Sequence, residues 1–235
     1  MSIIPAEIQN QVSEVFRALT SPVKIILFTQ SEGSASECSM CQETRQLVEE
    51  VASCSDKIEI QVVDLANDAE LAAQYKIEKV PAVAFINGSN PSKDNGIRLY
   101  GIPSGYEFTS LIQDILLVSR GTSDLNQKTL NELAKLNQPV HIQVFVTPTC
   151  PYCPQAVILA HKLALASDQI SADMVEATEF PELANRYQVY GVPRTVINEV
   201  VHVEGAVPEA ALVSELMKVL NEQEMEKLQA AWNPA

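Results

Sequence analysis

The segment Thr147-Pro-Thr-Cys-Pro-Tyr-Cys-Pro154 decides how this chain folds, because it joins two patterns that predict different secondary structures. The residues before it, 140–147, are rich in β-branched side chains and predict a strand. The residues after it predict a helix over 150–167. Cys150 and Cys153 therefore lie where a strand turns into a helix, about one helical turn apart.

The same pattern occurs earlier in the chain. Cys38-Ser-Met-Cys41 precedes the Cys150 motif by 112 residues, and Val80-Pro81 precedes Val192-Pro193 by the same 112 residues. Both copies predict the order strand, helix, strand, helix, strand, strand, helix. The first copy places these elements at 23–29, 41–53, 58–64, 69–75, 82–87, 96–100 and 106–119. The second copy places them at 140–147, 150–167, 170–176, 181–187, 195–198, 200–203 and 209–229.

This alternation predicts parallel strands joined by right-handed crossovers, with a final antiparallel hairpin in each copy. We therefore predict an α/β protein of two tandem domains, residues 1–120 and 121–235, each with a central mixed β-sheet flanked by helices. Gly121 can end one helix, and Ser123 or Asp124 can cap the next. A further N-terminal helix is predicted to face the core with the apolar stripe Ile4, Ile8, Val12, Val15, Phe16 and Leu19.

Each cysteine pair has the spacing of a redox-active disulfide. Cysteines at positions i and i+3 of a first helical turn have Cβ atoms about 5–6 Å apart, which is close enough to bond. The free N–H groups and the positive dipole end of the helix stabilise a thiolate there. Cys38 and Cys150 are therefore the predicted nucleophiles, and Cys41 and Cys153 are the predicted resolving thiols. Cys153 is expected to be the more buried of its pair.

The flanking residues make the two pairs chemically unequal. Pro151 suits the first helical position after Cys150. Glu32 and Glu37 precede Cys38, and negative charge near a thiol disfavours the thiolate. We therefore predict that the C-terminal pair does most of the work, and that the N-terminal pair is redox-capable with a slower nucleophile.

Two cysteine pairs also suit a zinc or iron–sulfur site, although zinc ribbons usually have their pairs closer in sequence. A non-enzymatic metal binder stays open as an alternative, but we predict no metal site. His141, His161 and His202 share no ligand spacing and are interpreted as solvated or hydrogen-bonded histidines. Cys54 is interpreted as a small buried hydrophobe.

A strand, a Cys-x-x-Cys helix, the segment 64–81 and a glycine after the last strand of each copy, Gly101 and Gly205, resemble thioredoxin. Cys150-Pro-Tyr-Cys153-Pro and Val192-Pro-Arg-Thr-Val-Ile-Asn198 carry most of a second resemblance. The doubled arrangement closely resembles the glutaredoxin-like protein disulfide oxidoreductases of archaea and bacteria, along nearly the whole chain. This resemblance implies exchange of protein disulfides. It implies no bound cofactor, with electrons arriving indirectly from NADPH through a thioredoxin-reductase-like flavoprotein. The sequence departs from the family at Ser39-Met40 and in the longer loop 30–37.

The resemblance also changes the expectation for two prolines. Most X–Pro peptide bonds in folded proteins are trans, so the residues alone favour trans prolines that start strands. The resemblance implies instead that Pro81 and Pro193 are cis and pack against the cysteine pairs. The complete set of predicted substrate-binding residues is Val80, Pro81, Val192, Pro193, Pro151 and Tyr152, with the two valines offering backbone groups to an extended peptide.

The composition limits the classes of partner that this chain is expected to bind. The 235 residues carry a formal net charge of -14, and neither half has the basic face that phosphate binding needs, so we expect neither nucleic acid nor a membrane surface as a partner. The chain starts without a basic signal region or a long apolar run, which predicts a cytoplasmic protein. The expected partners are protein disulfide substrates, the flavoprotein and a peroxiredoxin.

Two further functions fit the same residues. A dedicated electron shuttle would carry electrons from a flavoprotein reductase to one peroxidase-type partner and would leave a generic disulfide such as insulin alone. A peptide-binding chaperone would use the groove beside Val192-Pro193, and its activity would survive Cys150→Ser.

Overall fold

The structure is a computed structural model that describes residues 2–30 and 38–232. The first half contains α1 (Ala6–Phe16), β1 (Val23–Thr29), α2 (Cys41–Ala52), β2 (Ile58–Asp64), α3 (Ala69–Gln74), β3 (Ala82–Asn87), β4 (Ile97–Tyr100), a 3₁₀ turn (Gly105–Glu107) and α4 (Phe108–Arg120). The second half contains α5 (Gln127–Leu133), β5 (Val140–Val146), α6 (Cys153–Ala166), β6 (Ile170–Glu176), α7 (Pro181–Arg186), β7 (Arg194–Ile197), β8 (Val201–Glu204), α8 (Glu209–Leu216), a 3₁₀ turn (Met217–Leu220) and α9 (Glu222–Ala231).

All eight strands form one sheet in the order β2-β1-β3-β4-β6-β5-β7-β8. Each half supplies four neighbouring strands with parallel and antiparallel pairs, so the prediction of mixed sheets flanked by helices is confirmed. The two halves join where β4 pairs with β6 in parallel, with Ile97 opposite Ala172 and Tyr100 opposite Val175. We keep the domain boundary between residues 120 and 121 as a proposal.

The joined sheet carries a different core on each face. Alternate residues of the central strands, among them Leu99, Val144 and Met174, point to the face covered by the long helices and form one continuous apolar cluster there. The other face packs a second cluster under the short helices α3 and α7. The long-helix face therefore binds the two halves into one structure.

Strand directions place both cysteine pairs at one edge of the sheet. β1 and β5 run in the same direction. From β1 to β5 the sheet passes through two antiparallel pairs, β1–β3 and β3–β4, which cancel, and through two parallel pairs, β4–β6 and β6–β5. β1 and β5 each lead into a cysteine motif. For the same reason α4 and α6, which return over the same face from β4 and β5, run parallel and pack against each other.

Two predictions about the helices need correction. α6 begins at Cys153, so Pro154 and not Pro151 lies in its first turn. The cap of α5 is Asn126, whose side-chain oxygen accepts the N–H of Thr129, and not Ser123 or Asp124. Asn126 is preferred because its amide also donates to Glu209 at 2.6 Å, a partner that only the folded chain supplies.

The ends of the chain also differ from the prediction. The closing helix 209–229 is interrupted, and Asn221 caps a separate helix α9 by accepting the N–H of Glu224. In α1, Val15 is exposed, because the helix packs on the core through Val12 and Phe16. Over the described residues, no helix combines the length and the apolar character that crossing a membrane requires.

Candidate disulfide sites and a buried carboxyl

Cys150 and Cys153 form a disulfide with Cα atoms 5.5 Å apart. The N–H of Cys150 donates to the carbonyl of Thr147 at 3.1 Å, which closes the turn between β5 and α6. Cys150 is 7% exposed, whereas Cys153 is 0% exposed, in the order that the sequence predicts. An incoming thiolate therefore reaches Cys150 first, at the amino end of α6.

Cys38 and Cys41 form the second disulfide, also with Cα atoms 5.5 Å apart. Cys41 is buried at the start of α2, and Cys38 is half-buried. The predicted influence of Glu32 and Glu37, and the long loop before Cys38, fall on residues 31–37, which lie outside the described residues.

Both prolines are cis, at Val80–Pro81 and Val192–Pro193, as the resemblance implies, so the expectation of trans bonds is wrong. Each proline directly precedes a strand that runs antiparallel to the strand before a cysteine pair, with Arg194 opposite Phe145. Pro193 therefore lies beside the end of β5, where the Cys150 turn begins.

Three exposed tyrosines belong to segments that adjoin the C-terminal disulfide or cis-Pro193. Tyr152, between the cysteines, is 68% exposed, and Tyr190, three residues before Pro193, is 93% exposed. Tyr106 is also exposed, and its N–H donates to the carbonyl of Pro148 at 2.9 Å, two residues before Cys150. Large exposed aromatic side chains are typical of protein contact surfaces, and neither Tyr106 nor Tyr190 is among the residues predicted from the sequence.

A cluster of ionisable side chains is buried between α4 and α6. Ser110 donates its hydroxyl to Glu107 at 2.5 Å, and His161 Nδ1 lies 2.8 Å from Asp114 Oδ1. Burial raises the pKa of Glu107 to about 7; the hydrogen bond from Ser110 and the charge of His161 oppose this, and the charge of Asp114 adds to it. Burial also raises the pKa of Asp114.

The helix register puts Glu107 at the level of Cys153. α4 and α6 run parallel, their beginnings are tied by the Tyr106–Pro148 hydrogen bond, and about two turns further along they are tied by Asp114 and His161. Seven residues separate Glu107 from Asp114, and eight separate Cys153 from His161, so each pair lies along one side of its helix. The buried Glu107 carboxyl of the first half therefore lies against α6, the helix of the second half that begins at Cys153.

Glu107 is not among the site residues predicted from the sequence, and His161 is predicted only as a hydrogen-bonded histidine. The sequence signal that could have identified them is an ionisable residue within the apolar stripe of a helix. Glu107 and Asp114 lie among the buried residues of the predicted 106–119 helix, and His161 lies among those of α6. The N-terminal site lacks this arrangement among the described residues, because Thr44 is the one polar side chain that α1 and α2 bury.

The other candidates lie apart from both sites. His141 pairs with Asp173 at 2.7 Å on the sheet face opposite α6, and His202 lies 4.2 Å from the Trp232 ring, centroid to centroid. Cys54 is half-buried and in no disulfide, and its thiol donates to the Glu50 carbonyl at 3.4 Å. In the described part of the chain, no three His, Cys, Asp or Glu side chains are grouped to hold a metal ion.

The backbone beside Glu107 gives a test of this placement. Gly105 has φ of +59°, and a Cβ on it would lie 2.2 Å from the Pro148 carbonyl oxygen, so Gly105→Ala must displace the chain on either side. We expect a loss of roughly 2 kcal/mol or more in the free energy of unfolding, measured by urea denaturation.

Two other glycines separate the cost of a positive φ from the cost of the close contact with Pro148. Gly205 has φ of +76° with open space around it, and Gly191 has open space without a positive φ. Gly205→Ala should therefore cost less than Gly105→Ala, and Gly191→Ala should cost least. Equal losses for the three variants would contradict the close approach of Gly105 to Pro148.

The fold and the two disulfides define a class: a tandem thioredoxin-fold protein with a redox-type Cys-x-x-Cys pair in each copy. Residues 33–113 and 140–218 match the model of the thioredoxin domain, and the chain belongs to this family.

Two solved structures share the whole arrangement. The NTD_N/C domain of alkylhydroperoxide reductase AhpF from Enterococcus faecalis superposes with a TM-score of 0.81 at 26% identity, over 91% of this chain and 99% of that one. A protein disulfide oxidoreductase from Aeropyrum pernix also gives 0.81, at 29% identity, over 92% of this chain and 93% of that one.

Curated relatives are longer than this chain. The chain is 22% identical over 196 residues to NADH dehydrogenase of Bacillus subtilis, covering 83% of this chain and 34% of the relative. It is 23% identical over 180 residues to an alkyl hydroperoxide reductase of Staphylococcus epidermidis, covering 77% and 31%. The chain thus spans about a third of the length of the curated relatives it matches.

Proposed function

We propose that this chain is a protein thiol–disulfide oxidoreductase that works through Cys150 and Cys153. The observation that carries the proposal is the setting of this disulfide: Cys150, beside cis-Pro193, is the more accessible sulfur at 7% exposure, and Cys153 is fully buried at the start of α6, the helix against which Glu107 packs. Nucleophile, resolving thiol and proton acceptor are then three separate groups. Cys38 and Cys41 form a second redox pair, beside which α1 and α2 bury no carboxyl in the described part of the chain.

Reduction of a substrate starts from the dithiol form. The Cys150 thiolate attacks one sulfur of the substrate disulfide, that bond breaks, and its electron pair leaves on the second sulfur, which takes a proton from solvent. Cys153 gives its proton to the Glu107 carboxylate and attacks Cys150, so the Cys150–Cys153 bond forms and the mixed disulfide breaks. The released substrate thiolate takes the proton from Glu107, and two electrons have moved to the substrate.

Substrate binding is proposed at the surface around Cys150. Val192 and Pro193 would line the path of an extended peptide, and Pro151 and Tyr152 would contact the residues next to its cysteine. Exposed tyrosine rings around the disulfide support contacts with apolar residues of a partner. Val80 and Pro81 are proposed for the same role at the N-terminal pair.

The oxidised pair must be returned to the dithiol by an electron donor. We propose a flavoprotein related to thioredoxin reductase that draws on NADPH or NADH, because the relatives carry the names NADH dehydrogenase and alkyl hydroperoxide reductase. The second name also supports a peroxiredoxin as one recipient of the electrons. The cytoplasm is the proposed compartment.

Insulin turnover tests the breadth of the activity. With dithiothreitol as donor, catalytic amounts of the protein should accelerate insulin precipitation. A dedicated electron shuttle would leave insulin unreduced and would reduce only a peroxidase-type partner. Suppression of aggregation that survives Cys150→Ser would favour the peptide-binding chaperone, and stoichiometric zinc or iron in the purified protein would favour the metal binder.

A further inference from the structure

Asp114 and His161 form a hydrogen-bonded pair that is removed from water and becomes an ion pair when the imidazole is protonated. Both side chains are 0% exposed, and they tie a helix of the first half to a helix of the second. A buried ion pair gains little stability over well-packed apolar side chains of similar volume. Here the pairing is also incomplete, since Asp114 Oδ2 and His161 Nε2 have no hydrogen-bond partner among the described residues. Packing alone therefore does not account for these two residues.

Asp114 lies seven residues, or about two helical turns, after Glu107 on the same side of the helix, and His161 contacts Asp114, so both are within electrostatic reach of Glu107 in a buried site. The charged groups that act on the Glu107 carboxyl are Asp114, which disfavours its ionisation, and His161, which favours it. The strands beneath α4 and α6 present apolar side chains to this interface, including Phe85, Leu99 and Met174, and α5 adds Leu130 and Leu133. Cys153 is buried on the same helix as His161, at its beginning.

We propose that Asp114 and His161 are positioning residues for Glu107: their buried charges set the pH at which the Glu107 carboxyl ionises, and through it the pH at which Cys153 can give up its proton. The consequence for Cys153 rests on the proposed function, whereas the coupling to Glu107 does not. Asp114 and His161 never touch the substrate. They act through their electrostatic interaction with the Glu107 carboxyl, which is strong because the site has a low dielectric constant.

The two charges have opposite signs, so removing them one at a time has opposite effects. Asp114→Asn removes the anion next to Glu107, and the carboxyl then ionises at lower pH. His161→Gln removes the cation, and the carboxyl then ionises at higher pH. Each displacement should be about one pH unit, as expected for single charges near a carboxyl. The double variant, which replaces the pair by neutral side chains, should lie between the two single variants.

The test is an NMR titration of the full-length oxidised protein labelled with ¹³C at the glutamate carboxyl carbons. The Glu107 signal is identified by its absence from Glu107→Gln. His141→Gln is the matched control, because His141 pairs with Asp173 at 2.7 Å but on the opposite face of the sheet; it should leave the Glu107 midpoint in place. Displacement of both single variants in the same direction, or of neither, overturns the proposal.

A second measurement needs no substitution in the pair. Coupling is reciprocal, so ionisation of Glu107 should produce an inflection at its own midpoint in the imidazole signals of His161 in the wild-type protein. Glu107→Gln should remove that inflection. If the inflection persists in Glu107→Gln, the proposal fails even where Asp114→Asn or His161→Gln does not fold.

Thiol kinetics separate this inference from the proposed function. The rate at which the reduced pair resolves a mixed disulfide with a small aromatic thiol should follow the Glu107 midpoint, lower in Asp114→Asn and higher in His161→Gln. If the carboxyl midpoint moves as expected while the rate profile does not, the coupling stands and the role of Glu107 toward Cys153 fails.

Discussion

Cys150→Ser should reduce insulin disulfide turnover by at least about 1,000-fold, because it removes the sulfur that forms the mixed disulfide. Cys153→Ser should leave the first attack intact and trap the mixed disulfide, which a shift in mass on non-reducing gels would show. The measurement is the initial rate of insulin reduction with dithiothreitol as donor.

Cys38→Ser is the matched control for Cys150→Ser. Both variants remove the first cysteine of an identical spacing, but over the described residues a buried carboxyl, Glu107, packs against the helix of the second pair and none is buried by α1 or α2 beside the first. Cys38→Ser should therefore keep most of the insulin turnover. A loss as large as that of Cys150→Ser would mean that electrons must pass through both pairs, and would contradict the assignment of Cys150 as the working nucleophile.

Glu107→Gln should slow the resolving step by about 100-fold, because a positioned proton acceptor contributes roughly that much to a rate. Burial raises the pKa of Glu107 to about 7, so the wild-type rate should rise with pH through neutrality as the carboxylate forms. The variant should lose that inflection. The measurement is stopped-flow release of an aromatic thiol from a mixed disulfide with Cys150, between pH 5 and 9.

The Glu107 carboxyl should also make stability depend on pH, but stability should fall with rising pH whereas the rate rises. Its folded pKa lies above the unfolded value of 4.5, so between these two values the folded protein holds a proton that the unfolded chain has released. Stability should therefore fall as pH rises from about 4.5 to about 7. Glu107→Gln should lack this part of the decline in urea denaturation. A variant with unchanged rate and unchanged pH dependence would show that Glu107 serves neither purpose.

Much of the secondary structure could be predicted from local pattern. The strands 23–29, 58–64, 82–87 and 170–176 have the predicted bounds, because short apolar runs between turn residues have few other folded states. The interruption at Asn221 could not be predicted in this way, since helix-forming residues continue on both sides of it.

No short sequence pattern predicts that the two sheets join through β4 and β6. β4 is four residues long, and its outer edge could face solvent or another strand with the same sequence. Pairing with β6 depends on where the second copy docks, which is a property of the whole apolar face that the two halves share. Local patterns therefore predict two mixed sheets but not the junction between them.

The Thr147–Pro154 segment and its earlier copy, by themselves, determined the repeated fold, the order of nucleophile and resolving thiol, and the resemblance that implied cis prolines. These features depend on residues close together in the chain, where spacing and turn chemistry act directly. Only the tertiary structure decided that Glu107 and Asp114, from the closing helix of the first copy, are buried against α6 of the second. That contact depends on burying two helix faces against each other across the sheet junction, and this burial raises the pKa of an ordinary glutamate to about 7.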